Sequence, residues 1–126
     1  MDDTKQLVKP RAIVYIAGPL TPHGPNNHAI EYLGHVAEML KVARTLIKKG
    51  YAPFCPAIDF AYFLNTEDTP SEREIKDVSL AFLLVSNAVY MLPGWTFSAG
   101  CKVEYELARE LGIPIVYSME QLEEIL

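Results

Sequence analysis

The sequence predicts an α/β domain built on a parallel sheet with helices on both faces. Two observations carry this. Short apolar runs alternate along the chain with longer stretches of helical period. The clearest run, Ala12–Ala17 (AIVYIA), is apolar throughout rather than at every second residue, as a strand buried on both faces is. Strands that alternate with helices pair in parallel through crossover connections. The 126 residues are half apolar and only 21% charged, enough to bury one core. We therefore expect one domain over residues 1–126, with residues 1–10 a loose lead-in.

The elements follow in order. The first strand, Ala12–Ala17, stops at Gly18-Pro19. Asn26 or Asn27 is placed to cap the next element. Ile30, Leu33, Val36, Ala37, Leu40, Ala43, Leu46 and Ile47 then recur at helical spacing as far as Lys49, and Gly50 ends the helix. Tyr51–Cys55 reads as a second strand, which Pro53 and Pro56 shorten or place near an edge. Ala57–Thr69 is irregular. Pro70 and Ser71 open a second helix, with Glu72 and Glu74 at its positive end and Ile75, Val78, Ser79, Phe82 and Leu83 on one side. Ala88–Leu92 is the third strand, closed by Pro93-Gly94. A helix from Ser98 to Leu111 ends at Gly112. Ile113–Tyr117 is the fourth strand and Met119–Ile125 a short last helix. In such sheets ligands bind beyond the carboxyl ends of the strands, where Gly18–Thr21 and Pro93–Gly100 both fall.

Composition excludes several function classes. The net charge of −5 provides no basic stripe for a nucleic acid polymer. No apolar run approaches the roughly 18 residues of a membrane helix, and Met1–Pro10 lacks the apolar core of a secretory signal. Two cysteines in apolar segments read as reduced, cytoplasmic thiols. Together with three scattered histidines they make no metal spacing. Neither GxGxxG nor GxxxxGK[ST] occurs. No metal and no cofactor are expected.

The candidate functional residues stand out by position. On the Ser98–Leu111 helix, Lys102, Glu106, Arg109 and Glu110 share one arc, and Cys101, Val103, Leu107, Ala108 and Leu111 the other. Glu104 falls near the centre of the apolar arc. A carboxylate there costs several kcal/mol unless it is paired or faces a polar cleft, so it reads as functional. Asp77 lies on a helix among apolar neighbours, as a functional acid or a surface acid. Tyr15 lies inside the first strand, as a core side chain or a site hydroxyl. Ser98 suits an N-cap; with Gly100 it forms a helix N-terminus open to an oxygen-rich group. Trp95, the one tryptophan, stacks on a planar ligand or covers the core.

Taken together, Tyr15-Ile16-Ala17-Gly18-Pro19 after the first strand, Asp77 on a middle helix and Ser98-x-Gly100-x-x-x-Glu104 resemble the nucleoside 2-deoxyribosyltransferase superfamily. The likeness runs from about Ile13 to Tyr117. It is strongest to a small branch marked by YIAGP and by LPGWxxSxGxxxE, here Leu92 to Glu104, and related to nucleoside-monophosphate N-glycosidases. The resemblance implies a flavodoxin-like or Rossmann-like three-layer sandwich with a parallel sheet of four to five strands. It implies a homodimer or higher homo-oligomer acting on a nucleoside or nucleotide. It casts Glu104 as the nucleophile at the anomeric carbon, Asp77 as the acid that protonates or holds the leaving base, and Tyr15 as the group that orients the carboxylate. Ser98 would meet the sugar's 5′ end, and Gly18, Pro19, Thr21, Trp95 and Gly100 would line the substrate. The transferases carry an acid where this chain has Ser98, which favours a phosphorylated 5′ position. The first loop, however, lacks the serine and arginine that the hydrolases place around phosphate. The expected activity is cleavage or transfer at an N-glycosidic bond, hydrolysis ahead of transfer. The alternative is a non-catalytic nucleotide-binding or sensing module on the same fold.

Overall fold

Strand β1 (Ile13–Ala17) forms from the unbroken apolar run, and its last four residues are buried. It is an inner strand of a four-stranded parallel sheet in the order β2-β1-β3-β4, completed by β2 (Ala52–Phe54), β3 (Ala88–Met91) and β4 (Ile115–Val116). The computed structural model describes residues 9–20, 28–63 and 67–126. Among the described residues, four α-helices cover the sheet: α1 (His28–Lys48), α2 (Glu72–Leu84), α3 (Ala99–Leu111) and α4 (Met119–Ile125). The architecture is the expected flavodoxin-like three-layer sandwich. β2 lies at the edge, where Pro53 costs no ladder bond.

The two sides of each inner strand feed two cores. Val14 and Ile16 of β1 and Ala88 and Tyr90 of β3 pack with Val36, Met39, Ala43 and Leu46 of α1 and Leu122 of α4. Tyr15, Ala17, Val89 and Met91 face the other way, against Leu83 of α2 and Cys101 and Ala108 of α3. At the amino edge, Asn87 braces β1 twice. Its Oδ1 accepts from the Ile13 amide at 2.7 Å, and its own amide donates to the Ile13 carbonyl at 2.8 Å.

The helix ends obey local chemistry. Ser71 and Glu74 form a reciprocal capping box at the start of α2. Ser98 caps α3, its Oγ accepting from the Cys101 amide at 3.2 Å. Gly112 ends α3 with φ of +71°, a conformation that penalises a Cβ. Asn26 and Asn27 lie outside the described residues.

The helix faces depart from expectation. On α1 the buried positions are Val36, Met39, Ala43 and Leu46, whereas Ile30 is 66% and Leu33 62% exposed. Leu40 and Ile47 are exposed as well. The helix carries two apolar stripes, and the sheet covers one of them. Val78 and Phe82 of α2, and Val103 and Leu111 of α3, are exposed in the same way. Ala57–Thr69, expected to be irregular, contains a 3₁₀ segment over Pro56–Phe63. Among the described residues, no helix is long and apolar enough to cross a membrane.

Candidate active site

The strand order places a crevice at the carboxyl ends of β1 and β3. The connection from β1 runs to one side of the sheet and that from β3 to the other. The loops leaving these strands converge there. The Leu92 amide donates to the Ala17 carbonyl at 2.8 Å. A Cβ on Gly18 would stand 2.7 Å from Leu92 Cδ1 and 3.2 Å from its Cβ, so only glycine lets the loops approach this closely. Gly18→Ala is expected to cost about 1–3 kcal/mol through overpacking, read as a lower midpoint in urea at unchanged slope. Gly94 adopts φ of +86°, and a Cβ there would stand 3.5 Å from Pro19 Cγ.

The first half of the site lies on the α2 and α3 side of the sheet. Tyr15 sits at the middle of β1, in register with Phe54 and Val89, and is 1% exposed. Its ring stacks on Phe54 at 5.3 Å, and Phe54 stacks in turn on Phe82 at 4.5 Å. This aromatic file fixes the direction of the Tyr15 hydroxyl, which donates to the carboxylate of Glu104 on α3. Burial pushes the Glu104 carboxyl up from its ordinary 4.5 to about 7, against the pull of the Tyr15 hydrogen bond and the Lys76 ammonium; Asp59 adds to the rise. Burial and the facing Glu104 push the Tyr15 phenol far above its usual range. Tyr15 therefore remains a donor.

Asp59 is a residue that the sequence reading missed. It sits in the 3₁₀ segment that follows β2, over the same sheet edge. The buried hydroxyl of Ser79 on α2 donates to its Oδ2 at 3.1 Å. Burial raises the Asp59 carboxyl above its ordinary value, opposed by that bond. Its charge bears on Glu104, on Tyr15, on Cys55 and on Tyr32 of α1. No periodicity marks the Asp59 segment, and its partner lies 20 residues away. The visible signal was an aspartate in an apolar run just beyond a strand's carboxyl end.

The other expected site residues fall in different places. Asp77 is 60% exposed on α2, where its Oδ1 accepts from Arg73 Nε at 3.1 Å. The side-chain charges that bear on Glu104 are those of Lys76 and Asp59; the structure does not bring Asp77 to it. Ser98 caps α3 and Gly100 lies in its first turn, about one turn before Glu104; a Cβ on Gly100 would lie 3.9 Å from Ser98 Oγ. Trp95 stacks on Tyr105 with centroids 4.7 Å apart, and Arg109 stands 6.0 Å over the Tyr105 ring; one Trp95 face is thus covered by protein. Thr21 lies outside the described residues. Cys101 is buried beside Ser98, and burial pushes its thiol up to about 11, far from a nucleophilic thiolate at neutral pH.

A cavity of about 660 Å³ opens at the strand ends on the α1 side, lined by Pro19, His35, Glu38, Leu92, Gly94 and Phe97 among others. Its lining does not include Glu104, Tyr15 or Asp59. It flanks the crevice from α1, whereas Asp59 stands in the 3₁₀ segment after β2 and Glu104 on α3. Asp59 links the two sides, since its charge reaches both Tyr32 of α1 and Glu104 of α3. Among the described residues, no three His, Cys, Asp or Glu side chains converge to hold a metal.

No functionally curated protein matches this sequence. Among solved structures, the fold is similar to a 2-deoxyribosyltransferase from the psychrotolerant bacterium Bacillus psychrosaccharolyticus, described as a biocatalyst for nucleoside synthesis. The match has a TM-score of 0.57 and 21% identity, over 82% of this chain and 69% of the other. That likeness is one of fold. A family model, a domain of unknown function designated DUF4406, matches residues 12–117. The match takes in every strand, the Tyr15–Glu104 contact and Asp59, and the chain belongs to this DUF4406 family.

Proposed function

We propose that this protein cleaves or transfers at the N-glycosidic bond of a nucleoside or nucleoside 5′-monophosphate, with Glu104 as nucleophile. The observation that carries the reading is a desolvated carboxyl, held by a buried tyrosine hydroxyl, beside the crevice where such sheets bind ligands. The fold shared with a 2-deoxyribosyltransferase supports it.

The chemistry suits the residues. Loss of the base leaves an oxocarbenium-like centre at C1′. A Glu104 oxygen attacks C1′ from the opposite face, the C1′–N bond breaks, and its electron pair leaves with the base. Water or a second base then attacks C1′ and releases the glutamate. Tyr15 holds the carboxylate in line, and desolvation keeps it poorly solvated and reactive. Ser98, at the N-terminus of α3, meets the 5′ end of the sugar, where a serine accepts a phosphate that a carboxylate would repel. Hydrolysis stands ahead of transfer. A homo-oligomer belongs to this reading: Leu33, Leu40 and Ile47 share an exposed apolar stripe on α1.

The test incubates purified protein with ribo- and deoxyribonucleosides and their 5′-monophosphates, with and without a second acceptor base, and follows free base by chromatography. Glu104-dependent release is the expected result, and dependence on the acceptor separates transfer from hydrolysis. Tight binding without turnover, unchanged in Glu104→Ala, would replace this reading with a nucleotide-sensing module.

A further inference from the structure

We propose that Asp59 is the proton donor to the departing base, in place of Asp77. The inference rests on the N-glycosidic reading above.

The geometry separates the two acids. Asp77 faces outward on α2 and is held by the Arg73 guanidinium. Asp59 is half-buried over the carboxyl edge of the sheet, and among the described residues Ser79 is its one hydrogen-bond partner. That bond engages Oδ2 and sets the plane of the carboxyl, leaving Oδ1 to reach a ligand. Among the described residues, Ser79 from α2 bonds Asp59, whose charge bears on Tyr32 of α1, Tyr15 of β1, Cys55 just beyond β2 and Glu104 of α3. None is a cation. Glu104, by contrast, feels the Lys76 ammonium and the Tyr15 donor, both of which favour its charged form.

Two neighbouring carboxyls in a partly dry pocket do not both ionise readily, so at intermediate pH the pair carries one proton. A bound nucleoside covers the half-exposed Asp59 and removes its remaining water, which draws that proton onto Asp59. In the productive arrangement Glu104 is ionised and Asp59 protonated. As Glu104 forms its bond to C1′ and the C1′–N bond breaks, the Asp59 proton passes to a ring nitrogen of the base. The base leaves neutral and Asp59 is left as carboxylate. In the second half, Asp59 takes the proton of the attacking water as its oxygen bonds to C1′ and Glu104 departs.

The experiment compares a neutral purine nucleoside with its N7-methylated cation, whose base leaves without needing a proton. For Asp59→Asn we expect cleavage of the neutral nucleoside to fall about 10²–10⁴-fold, the usual worth of a positioned acid, with less than about tenfold loss on the cation. Glu104→Gln is expected to remove both activities. Equal slowing of the two substrates by Asp59→Asn, or none, overturns the assignment while leaving the Glu104 reading intact. The same selective loss in Asp77→Asn, and not in Asp59→Asn, also overturns it. Absence of cleavage of both substrates by the wild-type protein overturns the N-glycosidic reading, and this inference with it. Should Asp59→Asn not fold, Ser79→Ala decides. It removes the one bond that lowers the Asp59 carboxyl, so the alkaline limb of the pH profile of kcat/KM moves to higher pH. An unmoved limb counts against Asp59.

Discussion

Glu104→Gln is expected to abolish the proposed turnover and, at pH 8 but not at pH 5, to make the fold more stable. The second half of this expectation follows from the sign of the Glu104 displacement. Folding raises its carboxyl from an ordinary 4.5 to about 7, so between those values the folded state binds more protons than the unfolded state. Stability therefore declines as pH rises through that window. Above pH 7 the ionised carboxylate burdens the fold by a nearly constant amount, about 3–4 kcal/mol at most for a rise of this size. Glutamine keeps the shape and an acceptor for the Tyr15 hydroxyl but cannot ionise. Its amide has a burial cost of its own, so the net gain at pH 8 is about 1–2 kcal/mol, a rise of roughly 3–8 °C in Tm. At pH 5 the folded wild type already carries the proton, and the gain vanishes. Thermal melts at the two pH values check this, independently of any substrate. Equal shifts at both would mean that Glu104 is not a desolvated acid.

Tyr15→Phe is expected to shift the pH dependence of the proposed cleavage more than the stability of the fold. The phenylalanine ring retains the stack on Phe54 at 5.3 Å, and loss of one hydrogen bond costs about 1 kcal/mol. The hydroxyl, however, is the strongest of the influences that lower the Glu104 carboxyl. Without it, Glu104 holds its proton to higher pH, and the nucleophile is scarcer at neutrality. The acidic limb of kcat/KM should move up by about one pH unit, with roughly tenfold loss near pH 6.5. A uniform fall with an unmoved limb would assign Tyr15 to geometry alone. Tyr15→Ala is a different experiment, since it also opens a cavity worth about 3–5 kcal/mol.

Much of the architecture was legible in the sequence because it is local. The unbroken apolar run of β1, the capping serines at 71 and 98 and the glycine after α3 each act within a few residues of themselves, and each stands where its chemistry requires. The alternation of strands and helices excluded an antiparallel sheet. Glu104 was legible for the same reason: one carboxylate on an apolar arc is an inconsistency within a single helix.

Tertiary structure decided the rest. Helical periodicity says which side chains share a face, not which face meets the sheet. α1 carries two apolar stripes, and packing against β1 and β3 selected Val36, Met39, Ala43 and Leu46 over Leu33, Leu40 and Ile47. The same ambiguity turned Asp77 outward to Arg73 while Ser79, two residues on, turned inward to Asp59. Asp59 itself lies in a segment without amphipathic pattern, and the meaning of its carboxyl depends on Ser79, Tyr32 and Glu104, which reach it from three other elements. The layers, the strand ends and the one acid out of place are written in local stretches of chain. Which second acid stands beside it was decided only by the fold, because desolvation and charge proximity belong to the space between elements and to no single stretch of chain.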